Sequence, residues 1–315
     1  CYYNTDTSKS TDLTKCEKEQ YVRVLKLVDR VRGFIELLRL HNVVLSYIAV
    51  MIGLASVYRY VNIGNYSISS INYIAFTTLT VGIPVVFVSA GGYVINDYFD
   101  IEIDKINKPY RPIPSGRVKP EEAYLLAILL FVLGIATSTW IGVYVFLFTA
   151  LNAMLIYSYS YKLKELGLAG NLVVSLCSAN TILFGGLAYI SLNGMSLANL
   201  IPVIPPFVIA FLLVLIREFV KGIEDYLGDK EHNVKTLAVV LGLRRASYVA
   251  FSMAIVLVCI SWIPMIMNAS IMYLPLAIVV DVLAMYSTIK LITCRLEEII
   301  NLAAKSRRIL KIAFG

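Results

Sequence analysis

Charge is scarce in this chain of 315 residues. Only 16% of them are Asp, Glu, Lys or Arg, while 58% are hydrophobic. Soluble domains carry nearer a quarter charged residues, so an ordinary soluble domain is disfavoured, and so high an apolar fraction excludes disorder. Histidine is nearly absent, with His41 and His232 the only two. The five cysteines, Cys1, Cys16, Cys177, Cys259 and Cys294, form no Cys-x-x-Cys pair. An odd, scattered set argues against a disulfide framework or a zinc site. Cys177 and Cys259 read as small apolar filler within helices. The N-terminus is polar and has no short apolar core, so no cleavable signal peptide is read there.

What the sequence has instead is apolar residues in blocks of the length a helix needs to cross a bilayer. Eight such spans are expected, near 34–57, 72–96, 122–140, 141–159, 168–190, 197–220, 246–266 and 272–293. The third and fourth nearly touch. Thr137-Ser138-Thr139 and Gly142 mark the least apolar point between them, where a tight turn is expected. The fold class is therefore an all-α polytopic membrane protein. Residues 1–20 read as a polar tail. In residues 21–33, Val22, Leu25, Val28 and Val31 recur at three-residue spacing among charged neighbours, as in an amphipathic helix on a membrane surface or an ordinary solvated one. The division expected is a tail and interfacial helix over 1–33 and one transmembrane domain over 34–315. The closing KSRRILKIAFG reads as the first turns of a further helix cut short.

The net charge is +7. In a membrane protein such an excess belongs in cytoplasmic loops, so it is not read as nucleic-acid binding. The loops near 59–71, 137–142, 191–196 and 265–271 contain a single charged residue, Arg59. Those near 97–122, 160–167, 217–246 and 290–311 carry nearly all the later Lys and Arg. The positive-inside rule places the second set in the cytoplasm. Asn65-Tyr66-Ser67 and Asn268-Ala269-Ser270 match a glycosylation triplet on the other side, a pattern common by chance.

Two acidic stretches fall on the cytoplasmic side. In YVINDYFDIEIDKINKPYRPIPSGR (93–117), Asp97, Asp100 and Asp104 are spaced three and four apart, on one helical face, with Asn96 beside them. In REFVKGIEDYLGDKEHNVKT (217–236), Asp225 and Asp229 are four apart. Glu218 lies two turns earlier on nearly the same face, with Glu224 one residue off it. Superposed, Asp100 falls on Asp225, Asp104 on Asp229 and Lys105 on Lys230, whereas Asp97 falls on Gly222. Each stretch follows an even-numbered span, which points to an internal repeat of four helices. Like charges stacked on one face repel unless a cation neutralises them. Mg²⁺ takes one or two carboxylates plus substrate phosphates. Two such sets with Arg111, Lys162, Lys164, Arg217 and Lys221 nearby suit a diphosphate carried on a lipid, its tail between the helices. Acids and bases at a helix end are more often a solvated boundary, but two sets in one frame on one side are not readily explained so.

At these motifs the sequence resembles the UbiA superfamily of intramembrane prenyltransferases, over roughly residues 34–315. The first motif has the N-D-x-x-D-x-x-x-D form at Asn96, Asp97, Asp100 and Asp104, followed by a K-P-x-R-P-x-P-S-G run from Lys108 to Gly116. The second has D-x-x-x-D at Asp225 and Asp229, and YSYSYKLK (157–164) stands where the family has a Tyr and Lys loop. Residues 221–242 look most like the archaeal enzymes that make digeranylgeranylglyceryl phosphate. Gly222 departs from them, standing where related enzymes often have Asp. The resemblance implies a bundle of two four-helix repeats around a central cavity, with the family's ninth helix absent or truncated here. It implies Mg²⁺ on Asp97, Asp100, Asp104, Asp225 and Asp229, with Lys162 also catalytic. Asn96, Arg111, Lys164, Lys221, Tyr157, Arg39 and Asn42 would bind substrate, Arg39 as a candidate contact for an anionic acceptor. The implied reaction moves a geranylgeranyl group from its diphosphate to the hydroxyl of geranylgeranylglyceryl phosphate through an allylic cation, giving an archaeal ether-lipid precursor. Tyr93, Tyr98, Phe99 and Tyr157 are candidate faces for that cation, although packing is the commoner role of any single aromatic. His41 reads as structural, His232 as solvated, and the role of Asp281, inside the last full span, stays open. The competing readings are transfer to an aromatic ring for quinones and, from another class, a polytopic transporter.

Overall fold

The structure, a computed structural model, describes residues 9–62, 68–231, 234–267, 271 and 273–314. His232 and both Asn-x-Ser triplets lie wholly or partly outside that set. The described residues are overwhelmingly helical and contain no strand. In hydrocarbon every backbone polar group has to be paired within the chain, and a helix achieves that locally.

Helix α1 (Lys9–Leu38) runs unbroken across residue 33, where the sequence pattern places a boundary. Its residues 20–32 are exposed throughout. The break comes at Arg39, before α2 (Leu40–Val61). Arg39 has φ 48° and ψ 54°, and among the described residues it is the single non-glycine residue with positive φ. A side chain in that left-handed region costs on the order of 1–2 kcal/mol, so contacts elsewhere must hold it there.

The second expected span is not straight. Helices α3 (Ile68–Val81) and α4 (Ile83–Phe99) form one span bent by 49°. Pro84 supplies the cause. It has no N–H to donate, and its ring meets the carbonyl one turn back. After α5 (Ile101–Asn107), α6 (Pro120–Ser138) and α7 (Val143–Tyr161) follow, and the turn between them falls at 139–142. Gly142 has φ 147° there. Then come α8 (Leu168–Leu192), α9 (Ile204–Glu224), the short α10 (Tyr226–Glu231) and α11 (Leu237–Leu241), and α12 (Leu243–Ser261). The chain continues with α13 (Ile263–Ile266), α14 (Tyr273–Thr293) and α15 (Ile299–Phe314). Among the described residues seven helices are long and apolar enough to cross a membrane, or eight counting the bent pair. The protein is an integral membrane protein. Its last helix, α15, packs against α9 and α14.

Lipid tails are as apolar as leucine, so helices in a membrane associate through close packing more than through burial of apolar surface. Helices α2 and α8 illustrate this. A Cβ added at Gly53 would lie 1.8 Å from the Ile182 carbonyl oxygen, and one at Gly185 would lie 2.0 Å from that of Val50. Two glycines on facing helices thus let the backbones touch. Val50, Leu54 and Val57 of α2 and Ile182, Leu187 and Ala188 of α8 fill the surrounding core. A second core joins α4 and α6, and a third joins α9 with α12, α14 and α15.

Candidate active site

A cavity of about 870 Å³ lies within the bundle. Helix α2 lines it along almost its whole length, through Asn42, Ser46, Ala49, Ile52, Ser56 and Tyr60 among others. That spacing of three and four is one face of a helix. The walls are mostly apolar with scattered hydroxyls, and the charged groups lie toward the ends, Arg59 near the end of α2 opposite Arg39. At one end stand Arg39, Tyr93, Asn96, Tyr159, Arg217, Glu218 and Lys221, and Asp281 lies on α14.

The two motifs share their backbone geometry. Helix α4 ends at Phe99 and α9 at Glu224. The next residues, Asp100 and Asp225, have φ/ψ of −90°/4° and −84°/6°. The helical hydrogen-bond ladder carries through each break. The Asp104 N–H donates to the Asp100 carbonyl (2.7 Å), and the Asp229 N–H to that of Asp225 (2.9 Å). One turn before each break, Asn96 and Lys221 line the same cavity. The ends of α4 and α9 therefore both border it, although none of the five motif aspartates is among its lining residues.

The acids of the first motif are all held by cations. Asp97, 5% exposed, is ion-paired with Arg39 and with Arg111 (3.0 Å). Arg111 also pairs with buried Asp104, so one guanidinium bridges two carboxylates. Asp100 accepts a hydrogen bond from Lys164 Nζ (2.5 Å) and another from Asn96 Nδ2 (2.8 Å). The bond to Asp97 also explains the backbone of Arg39, whose guanidinium lies 5.5 Å from the centre of the Tyr93 ring as well. In the second motif Asp225 is exposed and Asp229 half-buried. The Gly222 position is roomy. An added Cβ would meet only Thr236, at 3.5 Å, an ordinary contact.

The remaining candidates separate by position. Asn42 and Lys221 face the cavity. Lys162 is exposed at the end of α7, and Lys164, two residues on, is the lysine that reaches Asp100. Tyr157 packs edge-on against Phe99 (5.7 Å between centroids), and Tyr98 packs against Phe99 and Tyr124. Of the four aromatic residues proposed for the cation, only Tyr93 lines the cavity. Sequence reasoning missed Tyr159. Ile156, Tyr159 and Ser160 share the cavity-facing side of α7, a face that the sequence alone does not single out. Glu224 pairs with Arg307 (2.7 Å), tying the end of α9 to α15.

Among the described residues no three His, Cys, Asp or Glu side chains stand close enough together to make a ready metal cage. Magnesium does not require one, since it binds through one or two carboxylates plus waters and substrate phosphates. The hard oxygen donors fit it, and the guanidinium bridging Asp97 and Asp104 shows that this pair accommodates a cation.

A helical membrane bundle whose paired acidic motifs flank the basic end of an apolar cavity defines a class. The profile of the UbiA prenyltransferase family matches residues 45–304, and the chain belongs to that family. It is a prenyltransferase. It is 43% identical over 296 residues to the digeranylgeranylglyceryl phosphate synthase of Hyperthermus butylicus, covering 92% of this chain and 95% of the relative. A solved digeranylgeranylglyceryl phosphate synthase structure superposes with a TM-score of 0.69 at 33% identity, covering 90% of this chain and 94% of the other. A UbiA homologue from Archaeoglobus fulgidus, solved with GPP and Mg²⁺ bound, shares the fold at a TM-score of 0.57 and 18% identity, covering 90% and 99%.

Proposed function

We propose that the chain transfers a geranylgeranyl group from its diphosphate to the hydroxyl of geranylgeranylglyceryl phosphate, forming an ether-lipid precursor. The observation that carries this reading is the cavity itself. It is mostly apolar along its walls, and Arg39, Arg217 and Lys221 line it near the ends of α4 and α9. The synthase relative, nearly matched in length, names the acceptor class. The motif ends face the cytoplasm in this reading, as the basic loops require. Residues 34–315 act as one catalytic domain, preceded by a tail and an interfacial helix.

Arg39, Arg217 and Lys221 give fixed positive charge at the cavity's polar end, where a diphosphate would gain negative charge as it departs. Asp97, Asp100, Asp104, Asp225 and Asp229 would hold Mg²⁺, whose bound form neutralises diphosphate charge and makes it a better leaving group. Arg111 and Lys164 hold the first set of carboxylates in place. Asn42 and Asn96 offer hydrogen bonds beside the headgroups. The faces of Tyr93 and Tyr159 suit an allylic cation, because aromatic faces are negatively polarised. The apolar walls keep water from that cation. Purified protein in detergent, given geranylgeranyl diphosphate, Mg²⁺ and a panel of acceptors, tests the reading. The expected product is an ether from the glyceryl phosphate acceptor. A product only with aromatic acceptors would overturn it.

A further inference from the structure

We infer that Glu218 takes the proton from the acceptor hydroxyl as the ether bond forms. The assignment deepens the prenyl-transfer reading above and rests on it. Attack of an aliphatic alcohol on a carbocation gives an oxonium whose proton must leave, and within an apolar cavity little water is present to receive it. A carboxylate facing the reacting centre can serve.

Two carboxylates line the cavity among the described residues, Glu218 and Asp281. Asp281 belongs to the far end. Helix α12 leads away from the second motif, α14 begins beyond its end, and the Asp281 side chain accepts a hydrogen bond from Ser261 at that end of α12 (2.7 Å). Glu218 belongs to the basic end, near Tyr159 and between Arg217 and Lys221. It is buried, 6% exposed, yet neither of its cationic neighbours is in hydrogen-bond contact. Arg217 Nη2 stands 3.4 Å from Oε1, and Lys221 Nζ stands 3.9 Å from Oε2. Ordinary N–H···O bonds are 2.7–3.2 Å long. The two cations therefore stand beside the carboxylate without a close hydrogen bond, which leaves its lone pairs free to accept. The first-motif acids differ, since Asp97, Asp100 and Asp104 are each bonded to Arg or Lys.

The step balances without a co-reactant. The bond between the prenyl C1 and the diphosphate oxygen breaks, and its electron pair leaves with diphosphate. A lone pair of the hydroxyl oxygen forms the new C–O bond. The O–H pair then returns to that oxygen as the proton passes to Glu218.

The test follows two products at once in membranes or detergent with Mg²⁺, namely released diphosphate and ether lipid. Loss of a general base typically costs 10²–10⁴-fold. Glu218→Gln is expected to lower ether formation at least about 100-fold and to lower diphosphate release less, the difference being prenyl alcohol formed by the little water that reaches the basic end of the cavity. Glu218→Asp, which keeps a carboxylate, is expected to restore part of the ether yield. Ether formation by Glu218→Gln near the wild-type rate would overturn the assignment. So would equal loss of both products in both variants with unfolding temperatures unchanged, because that pattern marks a group that binds or positions the diphosphate. If the wild-type chain releases diphosphate but makes no ether from the glyceryl phosphate acceptor, the acceptor reading itself fails, a result distinct from either of those.

Discussion

Asp100 and Asp225, 125 positions apart in the chain, occupy the same backbone setting. Each closes a membrane-spanning helix with near-identical φ/ψ, and each N–H donates to the carbonyl one turn back, that of Asn96 (3.0 Å) or Lys221 (2.9 Å). The side chains differ in their surroundings. Asp100 is bonded to Lys164 and Asn96, whereas Asp225 is exposed.

Replacing either one with Ala should abolish prenyl transfer, by at least about 100-fold, the typical cost of removing a group that stabilises developing charge. Asp225→Ala should leave stability within about 0.5 kcal/mol, since the position is exposed and away from packing. Product formation and thermal unfolding in detergent check both parts. Wild-type transfer by either variant would refute the role of its motif.

Lys164 and Lys162 make a sharper pair. Lys164 holds Asp100, and Lys162 is exposed. Lys164→Ala should lower kcat/KM about 10-fold or more, in line with the 1.5–3 kcal/mol of a charged hydrogen bond. Lys162→Ala should lower it less. Parallel kinetics on the two variants decide the order.

Chelation bears on the metal directly. Excess EDTA should stop transfer, and added Mg²⁺ should restore it, because the carboxylates are hard oxygen donors that need phosphate oxygens to complete the shell. Undiminished transfer in chelator would remove the metal from the reaction.

The glycine contact between α2 and α8 predicts a fold defect separable from catalysis. Gly53→Ala puts a methyl group 1.8 Å from a carbonyl oxygen and should cost about 1–3 kcal/mol, the usual range for overpacking. Gly228→Ala is the control, since its added Cβ meets nothing within 4 Å. Unfolding temperatures of the two variants should diverge.

Much of this was legible in the primary structure, because apolar block length and charge placement are one-dimensional signals. The division near Gly142 and the common frame of Asp100 with Asp225 belong to that class. Other features were not legible. The 49° bend at Pro84 sits inside an apolar run that hydropathy reads as continuous. The left-handed backbone of Arg39 is held by Asp97, 58 positions away, so no local propensity encodes it. Choosing Lys164 over Lys162, or Tyr159 over Tyr157, requires knowing which way the end of α7 faces. The role of Glu218 depends on what does not touch it, and spacing along a chain cannot report that.

Helix α2, with 22 residues, is about 33 Å long, close to the hydrocarbon thickness of a bilayer, and the hollow follows it nearly from end to end. In the proposed reaction the substrate would lie along that hollow, its charged head at the Arg39 end and its chain reaching toward the opposite leaflet. Every finished lipid would emerge with its head on the side where it was made. Building a two-sided membrane from such a product needs a separate route for carrying heads across.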